Sequence, residues 1–384
     1  MRIVFWQNMM AFHQSAHIRA LADMCGLEVT WVVQETLSPE RAALGWPVPD
    51  PGRARMVPNP SPEAICELAA QRPEDSVHIF SGLHGYSTVE RGLAACLPTR
   101  AVIGLLAERQ DGRGYRGLAR LVRARRDWRA LRDRVGLVLA IGHGAPEWYA
   151  LCGCRTDRIY PYGYFMETPG AAPRRPCTAG SATRIAYVGG LRSGKGVDLL
   201  LQALAGIPRQ TWALEVVGDG PAAADLASLI ARLHLAERTR FHGSLDHGSA
   251  MALLSVQDLL VLPSRQKDGW GAVVSEALMR GVPAVCTNQC GASVLLTEPW
   301  RGDVVKAGSL SALRGALEAW IDLGPRTPKE RQRIIDWSQC ITGESAANYL
   351  LAAIRHALGQ APRPVAPWLQ TASRSLGTPS ERRC

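Results

Sequence analysis

The chain is poor in features that would assign it to a class at once. No run of 18 apolar residues occurs in its 384 residues, so the sequence predicts no membrane-spanning helix. The first residues lack a charged segment followed by a long apolar stretch, and we expect no secretory signal. The ten cysteines are scattered, and neither Cys152 with Cys154 nor Cys286 with Cys290 has a second pair at zinc-site spacing. We therefore expect reduced thiols, a cytoplasmic location and no metal ion.

Lysine is scarce as well, because four Lys accompany forty Arg, and the net charge of +10 comes from two segments. Residues 109–134 carry ten Arg against three Asp, and residues 360–384 carry four Arg against one Glu. In residues 113–135 apolar side chains recur at a spacing of three to four residues, which predicts an amphipathic helix: Leu118, Leu121, Val122, Trp128, Leu131 and Val135. Such a helix is typical of a membrane-surface contact, and it fits a solvated helix packed on its own domain equally well. Interleaved aromatic residues are too few to predict a nucleic-acid partner.

Apolar strands alternate with helical patterns along most of the chain. The length and this alternation predict an α/β protein with two doubly wound domains, each built on a parallel sheet covered on both faces. We predict a first domain at 1–168, a Pro- and Gly-rich linker at 169–183 and a second domain at 184–340. A helix at 341–358 is predicted to cross back to the first domain, and residues 359–384 are predicted to be disordered.

The most informative segment is PSRQKDGWGAVVSEALMRGVP, at residues 263–283. It places two carboxylates, Asp268 and Glu276, eight positions apart, with Gly269 and Gly271 directly after the first. A helix that begins near Gly271 or Ala272 would turn its free N–H groups towards the glycine loop. That arrangement suits a diphosphate, with a sugar at one end and a ribose at the other.

A second glycine loop lies upstream, in RIAYVGGLRSGKGVDLLLQAL at residues 184–204. It approaches a P-loop, but Gly196 stands after Lys195 where a phosphate-binding ATPase needs a Ser or Thr hydroxyl for magnesium. This departure argues against an NTPase. Further loops follow predicted strands in ALEVVGDGP and RFHGS, and the carboxyl ends of parallel strands form one ligand-binding edge.

Both segments resemble the retaining glycosyltransferases of GT-B fold known as family 4. Their usual patterns are PS-x-x-E-G-F-G-x-x-x-x-E-A-x-x-x-G-x-P and V-G-R-L-x-x-E-K-G-x-D. The chain departs from them by one inserted residue before Asp268, by Asp in place of Glu there, and by Gly190 and Gly194 in place of Arg and Glu. The resemblance covers about residues 184–307. It implies two Rossmann-like domains facing across a cleft and no cofactor or metal ion.

The resemblance also implies an activity and roles for residues. The activity is transfer of a sugar from a nucleotide-diphosphate sugar to a saccharide or glycolipid acceptor, with retention of anomeric configuration. Asp268 would contact donor-sugar hydroxyls, Glu276 the ribose and Lys195 the diphosphate, and Arg192 is a candidate to replace the missing arginine. The donor-binding residues then comprise Gly190, Arg192, Gly218, Asp219, Gly243, Gly269, Trp270 and Gly271.

The first half of the chain carries weaker signals. Its first loop lacks the glycine pair that many members of this family have, and it offers His13 instead. His84, Glu108 and His143 follow predicted strands and are predicted to face the cleft on the acceptor side. The pair Trp148 and Tyr149 before RIYPYGYF is similar to members that build bacterial polysaccharide and lipopolysaccharide. This resemblance implies a lipid-linked or saccharide acceptor and a peripheral position on the inner face of the cytoplasmic membrane.

Two other functions remain open at the level of sequence. A nucleotide-sugar epimerase on the same fold would need acid and base groups that converge on the sugar. A non-catalytic binding module derived from a glycosyltransferase would fit the departures at Gly190 and Asp268.

Overall fold

The computed structural model describes residues 1–37, 47–170, 181–208 and 211–374, with side chains described to residue 370. The first sheet has the strand order β3-β2-β1-β4-β5-β6-β7, with every neighbouring pair parallel. Its strands are β1 (Arg2–Met9), β2 (Glu28–Glu35), β3 (Arg55–Pro58), β4 (Ser76–Phe80), β5 (Val102–Glu108), β6 (Val135–Ile141) and β7 (Ile159–Tyr162). The helices between them are α1 (Phe12–Ala22), α2 (Pro62–Ala70), α3 (Ser87–Cys96), α4 (Gly114–Leu131) and α5 (Ala145–Leu151).

The second sheet repeats this arrangement with the order β10-β9-β8-β11-β12-β13, again all parallel. Its strands are β8 (Thr183–Val188), β9 (Trp212–Val217), β10 (Thr239–Phe241), β11 (Leu259–Leu262), β12 (Ala284–Thr287) and β13 (Gly302–Val305). The helices are α6 (Val197–Ala205), α7 (Ala223–Arg232), α8 (His247–Ser255), α9 (Ala272–Leu278) and α10 (Leu310–Leu323).

Strand composition explains why both sheets form. All four residues of β11 (LLVL) and of β12 (AVCT) are buried, as are the first six of β1. Strands that are covered on both faces bury continuous apolar runs rather than alternating ones. In both sheets the strand order reverses next to the first strand, and this topological switch point is where open parallel sheets bind ligands. The prediction of two doubly wound α/β units is confirmed.

Three further helices follow the second sheet: α11 (Pro328–Ser338), α12 (Gly343–Ala357) and α13 (Pro367–Arg374). Helix α12 packs against α1. The hydroxyl of Tyr349 on α12 donates to the carbonyl of Pro161 at 2.9 Å, and the hydroxyl of Tyr160 lies 2.6 Å from Nδ1 of His356. Helix α12 is therefore bonded to the first sheet.

The prediction of disorder from residue 359 is wrong for residues 360–370. Trp368 is buried, with its ring 6.1 Å from that of Phe165, and Arg363 donates to the carbonyl of Thr156 at 3.1 Å. The Pro- and Arg-rich composition suggested a solvated tail, but a tryptophan and an arginine hold the segment against the first domain. Residues 375–384 lie outside the described part, as does most of the predicted linker. The domain boundaries therefore stay a prediction.

Two details differ from the sequence expectations. Val135 opens β6 rather than closing the amphipathic helix, which ends at Leu131. Strand β3 was not anticipated, because it has only four residues, lies at the sheet edge and contains a proline. None of the helices in the described ranges combines the length and the apolar composition that crossing a membrane requires.

Candidate functional site

Glycine loops form a backbone wall at the carboxyl ends of β8, β9 and β10. The N–H of Gly218 donates to the carbonyl of Gly243 at 2.8 Å, and the N–H of Leu191 donates to the carbonyl of Asp219 at 2.9 Å. A Cβ atom on Gly218 would lie 2.0 Å from the carbonyl oxygen of Gly189, and its φ is +134°. Only glycine fits there. The loops that carry Gly190, Gly218, Asp219 and Gly243 thus lie together, as the sequence predicted, and Arg192 is exposed beside them.

Lys195 and Asp268 meet at the edge of this wall. The Lys195 ammonium binds Oδ1 of Asp268, and the Ser264 hydroxyl donates to Oδ2 of the same carboxylate. The Asp268 side chain is only 6% exposed, whereas that of Lys195 is 31% exposed. One carboxylate oxygen is therefore bonded to the ammonium and the other to the hydroxyl, while the ammonium still reaches solvent.

The loop after Asp268 enters α9 through Gly271, which has a φ of +79°. The predicted helix start is correct, and the side chain of Trp270, which the sequence predicted to bind the donor, is buried. The indole is 1% exposed, donates to the Ser275 hydroxyl at 2.9 Å and lies 5.7 Å from the ring of Tyr164. A Cβ on Gly163 would lie 2.4 Å from this indole, so a glycine of the first domain admits it. A large apolar ring is more stable in this contact than towards solvent.

Glu276 lies further along α9 and is bonded to a histidine that sequence reasoning did not select. Nε2 of His247, at the start of α8, is 2.9 Å from Oε1 of Glu276. On its other side the imidazole stacks on Phe12 of the first domain, with ring centroids 5.5 Å apart and planes 11° apart. The carboxylate that was predicted to hold a ribose is thus connected through one imidazole to the opposite domain.

Glu108, at the end of β5, joins the two domains at the glycine loop. Its Oε1 accepts from the backbone N–H of Trp270 at 3.1 Å and from the Tyr164 hydroxyl at 2.9 Å, and its Oε2 lies 3.3 Å from the Lys267 ammonium. A carboxylate of the first domain therefore holds the loop that carries Asp268. Charge-assisted bonds of this kind are stronger than neutral ones.

The three histidines predicted on the acceptor side are placed differently from one another. His13 stacks on Tyr164 at 3.5 Å between ring centroids. His84 is half-exposed and lies 2.8 Å from Asp127. The side chain of His143 is exposed, and its backbone N–H donates to the carbonyl of Gly291 across the domains at 3.0 Å. Each lies at the carboxyl edge of the first sheet, as predicted.

A cavity of about 310 Å³ opens at this edge, and we call it the front cavity. Its lining includes Asn8, His13, Gln14, His17, His84 and Glu108. Burial lowers the pKa of His17 to about 4, because the charged imidazolium would lose its hydration there. Within the described residues, no group of three or more His, Cys, Asp or Glu side chains could hold a metal ion.

Several residues of this region were missed by sequence reasoning. Ser264 belongs to the quoted PS pair and could have been found from it, because it lies four residues before Asp268. Lys267, Tyr164 and His247 act through contacts between segments that are far apart in sequence, so no local pattern reveals them.

Comparison with known proteins adds a family to this geometry. Residues 178–338 match the family described as "Glycosyl transferases group 1". The alpha-D-kanosaminyltransferase of Streptomyces kanamyceticus is 30% identical over 171 residues, which is 44% of this chain and 42% of that protein. The lipopolysaccharide core biosynthesis mannosyltransferase LpsB of Rhizobium meliloti is 33% identical over 147 residues, which is 36% of this chain and 41% of that protein.

The chain thus aligns with less than half the length of these two relatives. Among solved structures, Alr3699/HepE of Anabaena in complex with UDP superposes with a TM-score of 0.68. It is 15% identical and covers 93% of this chain and 100% of that chain. At that identity the likeness establishes the fold, which is GT-B. The chain therefore has a GT-B fold, and its residues 178–338 match the model of glycosyl transferases group 1.

Proposed function

We propose that the protein transfers a sugar from a nucleotide-diphosphate sugar to a saccharide or glycolipid acceptor with retention of configuration. The observation that carries the proposal is the pair of Lys195 and Asp268 beside the glycine loops, within a region that matches glycosyl transferases group 1. Two similar proteins, an alpha-D-kanosaminyltransferase and a lipopolysaccharide core biosynthesis mannosyltransferase, support sugar transfer, and the second supports a glycolipid acceptor.

In the proposed reaction the acceptor hydroxyl oxygen bonds to the anomeric carbon while the bond from that carbon to the diphosphate oxygen breaks. The diphosphate leaves with the electron pair and takes the acceptor proton on the same face of the sugar. Charge then grows on the diphosphate, where the Lys195 ammonium and the N–H groups of the glycine loops stabilise it without a metal ion. Asp268, fixed by Lys195 and Ser264, would position the donor sugar.

Glu276 would accept the ribose hydroxyls in this scheme. Its side chain is 18% exposed and already bonded to His247, so the ribose would share or replace that imidazole. A Glu276→Ala variant removes the acceptor oxygens, whereas Glu237→Ala alters an exposed carboxylate of the same domain.

The test is calorimetric binding of UDP, GDP, ADP and dTDP sugars to the wild type and to both variants. We expect one nucleotide to bind tightly, Glu276→Ala to weaken it about 100-fold and Glu237→Ala to leave it unchanged. Anomeric configuration in the product, measured by NMR coupling constants, tests retention. Failure of every nucleotide sugar to bind the wild type would refute the proposed function.

The acceptor side also supports a membrane-surface position. On α4 the side chains of Tyr115, Leu118 and Val122 are 78%, 63% and 61% exposed, at helical spacing, and arginines flank them. We propose that this ridge enters the interface of an anionic membrane, which would bring a lipid-linked acceptor to the cleft. Flotation with phosphatidylglycerol vesicles tests it.

The matched control for flotation is a leucine of similar exposure in the second domain. Leu118→Ser should reduce the vesicle-bound fraction several-fold, because it removes one apolar side chain from the interface. Leu323→Ser alters a side chain that is 65% exposed at the end of α10 and should leave the bound fraction unchanged. Equal losses in both variants would contradict a surface centred on α4.

A further inference from the structure

A second cavity, of about 350 Å³, lies beneath α4, and we call it the α4 cavity. The loop after β4, the end of β5, and the helices α4 and α5 enclose it. Its floor is aromatic, because Trp128, Trp148 and Tyr149 are 2%, 9% and 6% exposed and line it. The Tyr149 hydroxyl donates to the carbonyl of Glu108 at 3.1 Å, so this floor is rigidly joined to β5.

The rim of the α4 cavity is cationic. Arg120 and Arg123 line it from α4, one helical turn apart. Arg120 donates to the backbone carbonyl of Asp111 at 2.9 Å, and within the described chain neither guanidinium has a carboxylate oxygen within 4.0 Å. Asp127, the acidic residue on this face of α4, is bonded to His84 instead. Two guanidinium groups without a direct ion pair therefore line the same cavity as the aromatic rings, together with the carboxylates of Glu108 and Asp127, which are bonded to other groups.

The α4 cavity connects to the front cavity. Gly82, His84, Ala107 and Glu108 line both, and Glu108 bonds the loop that carries Asp268. A ligand in the α4 cavity would thus lie with one end beside the glycine loop and the other beneath α4. Pockets with apolar walls and a few fixed polar groups bind small ligands in one orientation.

We propose that the α4 cavity is a subsite for an acidic saccharide, whose phosphate or carboxylate binds Arg120 and Arg123 while its ring packs on the aromatic floor. The proposal rests on the proposed function, because it makes this saccharide the acceptor or the acceptor's neighbouring unit. Planar guanidinium groups bind such oxyanions in bidentate geometry. The aromatic floor distinguishes this site from a bare cationic surface, since ring faces and edges pack against C–H groups.

The experiment uses glucose 6-phosphate, glucuronate and glucose as probes of the full chain, with binding measured by calorimetry and saturation-transfer NMR. The test variant is Arg120→Gln/Arg123→Gln. The control is Arg126→Gln/Arg129→Gln, which removes the same charge from the same helix outside the cavity lining. We expect the test variant to weaken both acidic probes at least about tenfold and the control to weaken them less than about twofold.

Neutral glucose should bind more weakly than glucose 6-phosphate to the wild type and equally to both variants. Equal weakening of the acidic probes by the two double variants would overturn the proposal, because it would mean a diffuse effect of charge. Absence of binding to the wild type up to about 20 mM would also overturn it, since even a millimolar Kd saturates there.

The anionic group has two sources, an acidic acceptor or a lipid headgroup, and phosphatidylglycerol vesicles distinguish them. If the group belongs to an acceptor saccharide, vesicles will not displace glucose 6-phosphate. If it belongs to a headgroup, vesicles will displace it, and the test variant will lose vesicle binding more than the control does. The first result supports the acidic saccharide as the occupant, and the second overturns it in favour of a lipid headgroup.

Binding of glucose 6-phosphate to the α4 cavity can be measured separately from binding of a nucleotide sugar at the glycine loops. If the wild type binds glucose 6-phosphate but no nucleotide sugar, the proposed transfer is refuted and the subsite remains. Retained nucleotide binding with no difference between the two double variants would refute the subsite alone.

Discussion

The carboxyl edges of the two sheets differ in what lines them, which is mainly backbone at the second sheet and mainly side chains at the first. At the second sheet, backbone loops approach so closely that Gly218 has no room for a Cβ, and Asp268 and Glu276 each have a bonded partner. At the first sheet, two cavities of about 310 and 350 Å³ lie between side chains, and the guanidinium groups of Arg120 and Arg123 line the larger of these two. The second edge fixes one shape for a ligand, whereas the first can be altered one side chain at a time without disturbing its sheet.

We expect the largest effect from adding a Cβ atom to the backbone wall. Gly218→Ala places a Cβ 2.0 Å from a carbonyl oxygen at a φ of +134° and should lower the free energy of unfolding by about 4 kcal/mol. Gly315→Ala, in the middle of α10 with no atom near its Cβ, should raise it by about 0.5–1 kcal/mol. Urea denaturation measures both. Equal stabilities would mean that the wall is not rigid.

The second prediction concerns the charge pair on that wall. Lys195→Met should lower the transfer rate about 10²- to 10³-fold, because it removes the cation that faces the leaving diphosphate. The Lys195 side chain is 31% exposed, so the loss of its own contacts costs little stability. We expect a total cost of about 1–2 kcal/mol, because the buried Asp268 carboxylate loses its cation.

A second variant separates these two effects. Lys195→Met/Asp268→Asn should regain stability without regaining activity, because no buried charge is left unpaired. Lys306→Met, at an exposed lysine of the same domain, should change neither quantity. Recovery of activity in the double variant would contradict a role for the ammonium at the diphosphate.

His17, on α1 beside the first sheet, is buried in its neutral form. Its pKa is lowered from 6.5 to about 4, so between pH 6.5 and 4 the unfolded chain binds a proton that the folded chain does not. Stability therefore falls as the pH decreases through that window, by about 3 kcal/mol in total. His17→Leu should remove this part of the pH dependence, because leucine does not titrate.

Unfolding curves at pH 7, 5.5 and 4.5 test the effect of His17. His234→Asn is the control, because His234 is exposed and its φ of +56° suits asparagine. A variant lacking His17 that keeps the wild-type slope between pH 6.5 and 4 would assign the pH dependence to other groups.

The contrast between the two edges also explains how far the sequence could be interpreted. Asp268 and Glu276 lie in one segment with two glycines, and Lys195 lies in another. Short sequence patterns therefore identified these residues at the edge of the second sheet. The direction of Trp270 could not be predicted, because a glycine 107 positions earlier in the chain makes space for its indole.

The first domain gave less information for a physical reason. Its strands were predictable from buried apolar runs, but its ligand-facing residues are single side chains at separate strand ends. Arg120 and Arg123 looked like any other arginines of a basic helix, since the cavity that they share with aromatic rings depends on how α4 packs on α5 and β5. A pattern along the chain records spacing within an element, and a cavity between elements leaves no such pattern.

The smallest expected effect tests whether the two edges stay joined. Glu108→Gln keeps one acceptor for the Trp270 N–H but loses the charge that faces Lys267, which should lower kcat/KM about five- to tenfold. Glu147→Gln, at an exposed carboxylate on α5, should leave kcat/KM unchanged.

Lys267→Met should produce a loss similar to that of Glu108→Gln. If the contact persists in the rate-limiting state, the double variant should lose little more than either single one, because both changes remove the same interaction. Additive losses would mean that Glu108 and Lys267 act separately and that the domains part before the reaction. The double-mutant cycle therefore measures whether an acceptor-side carboxylate positions the donor loop during turnover.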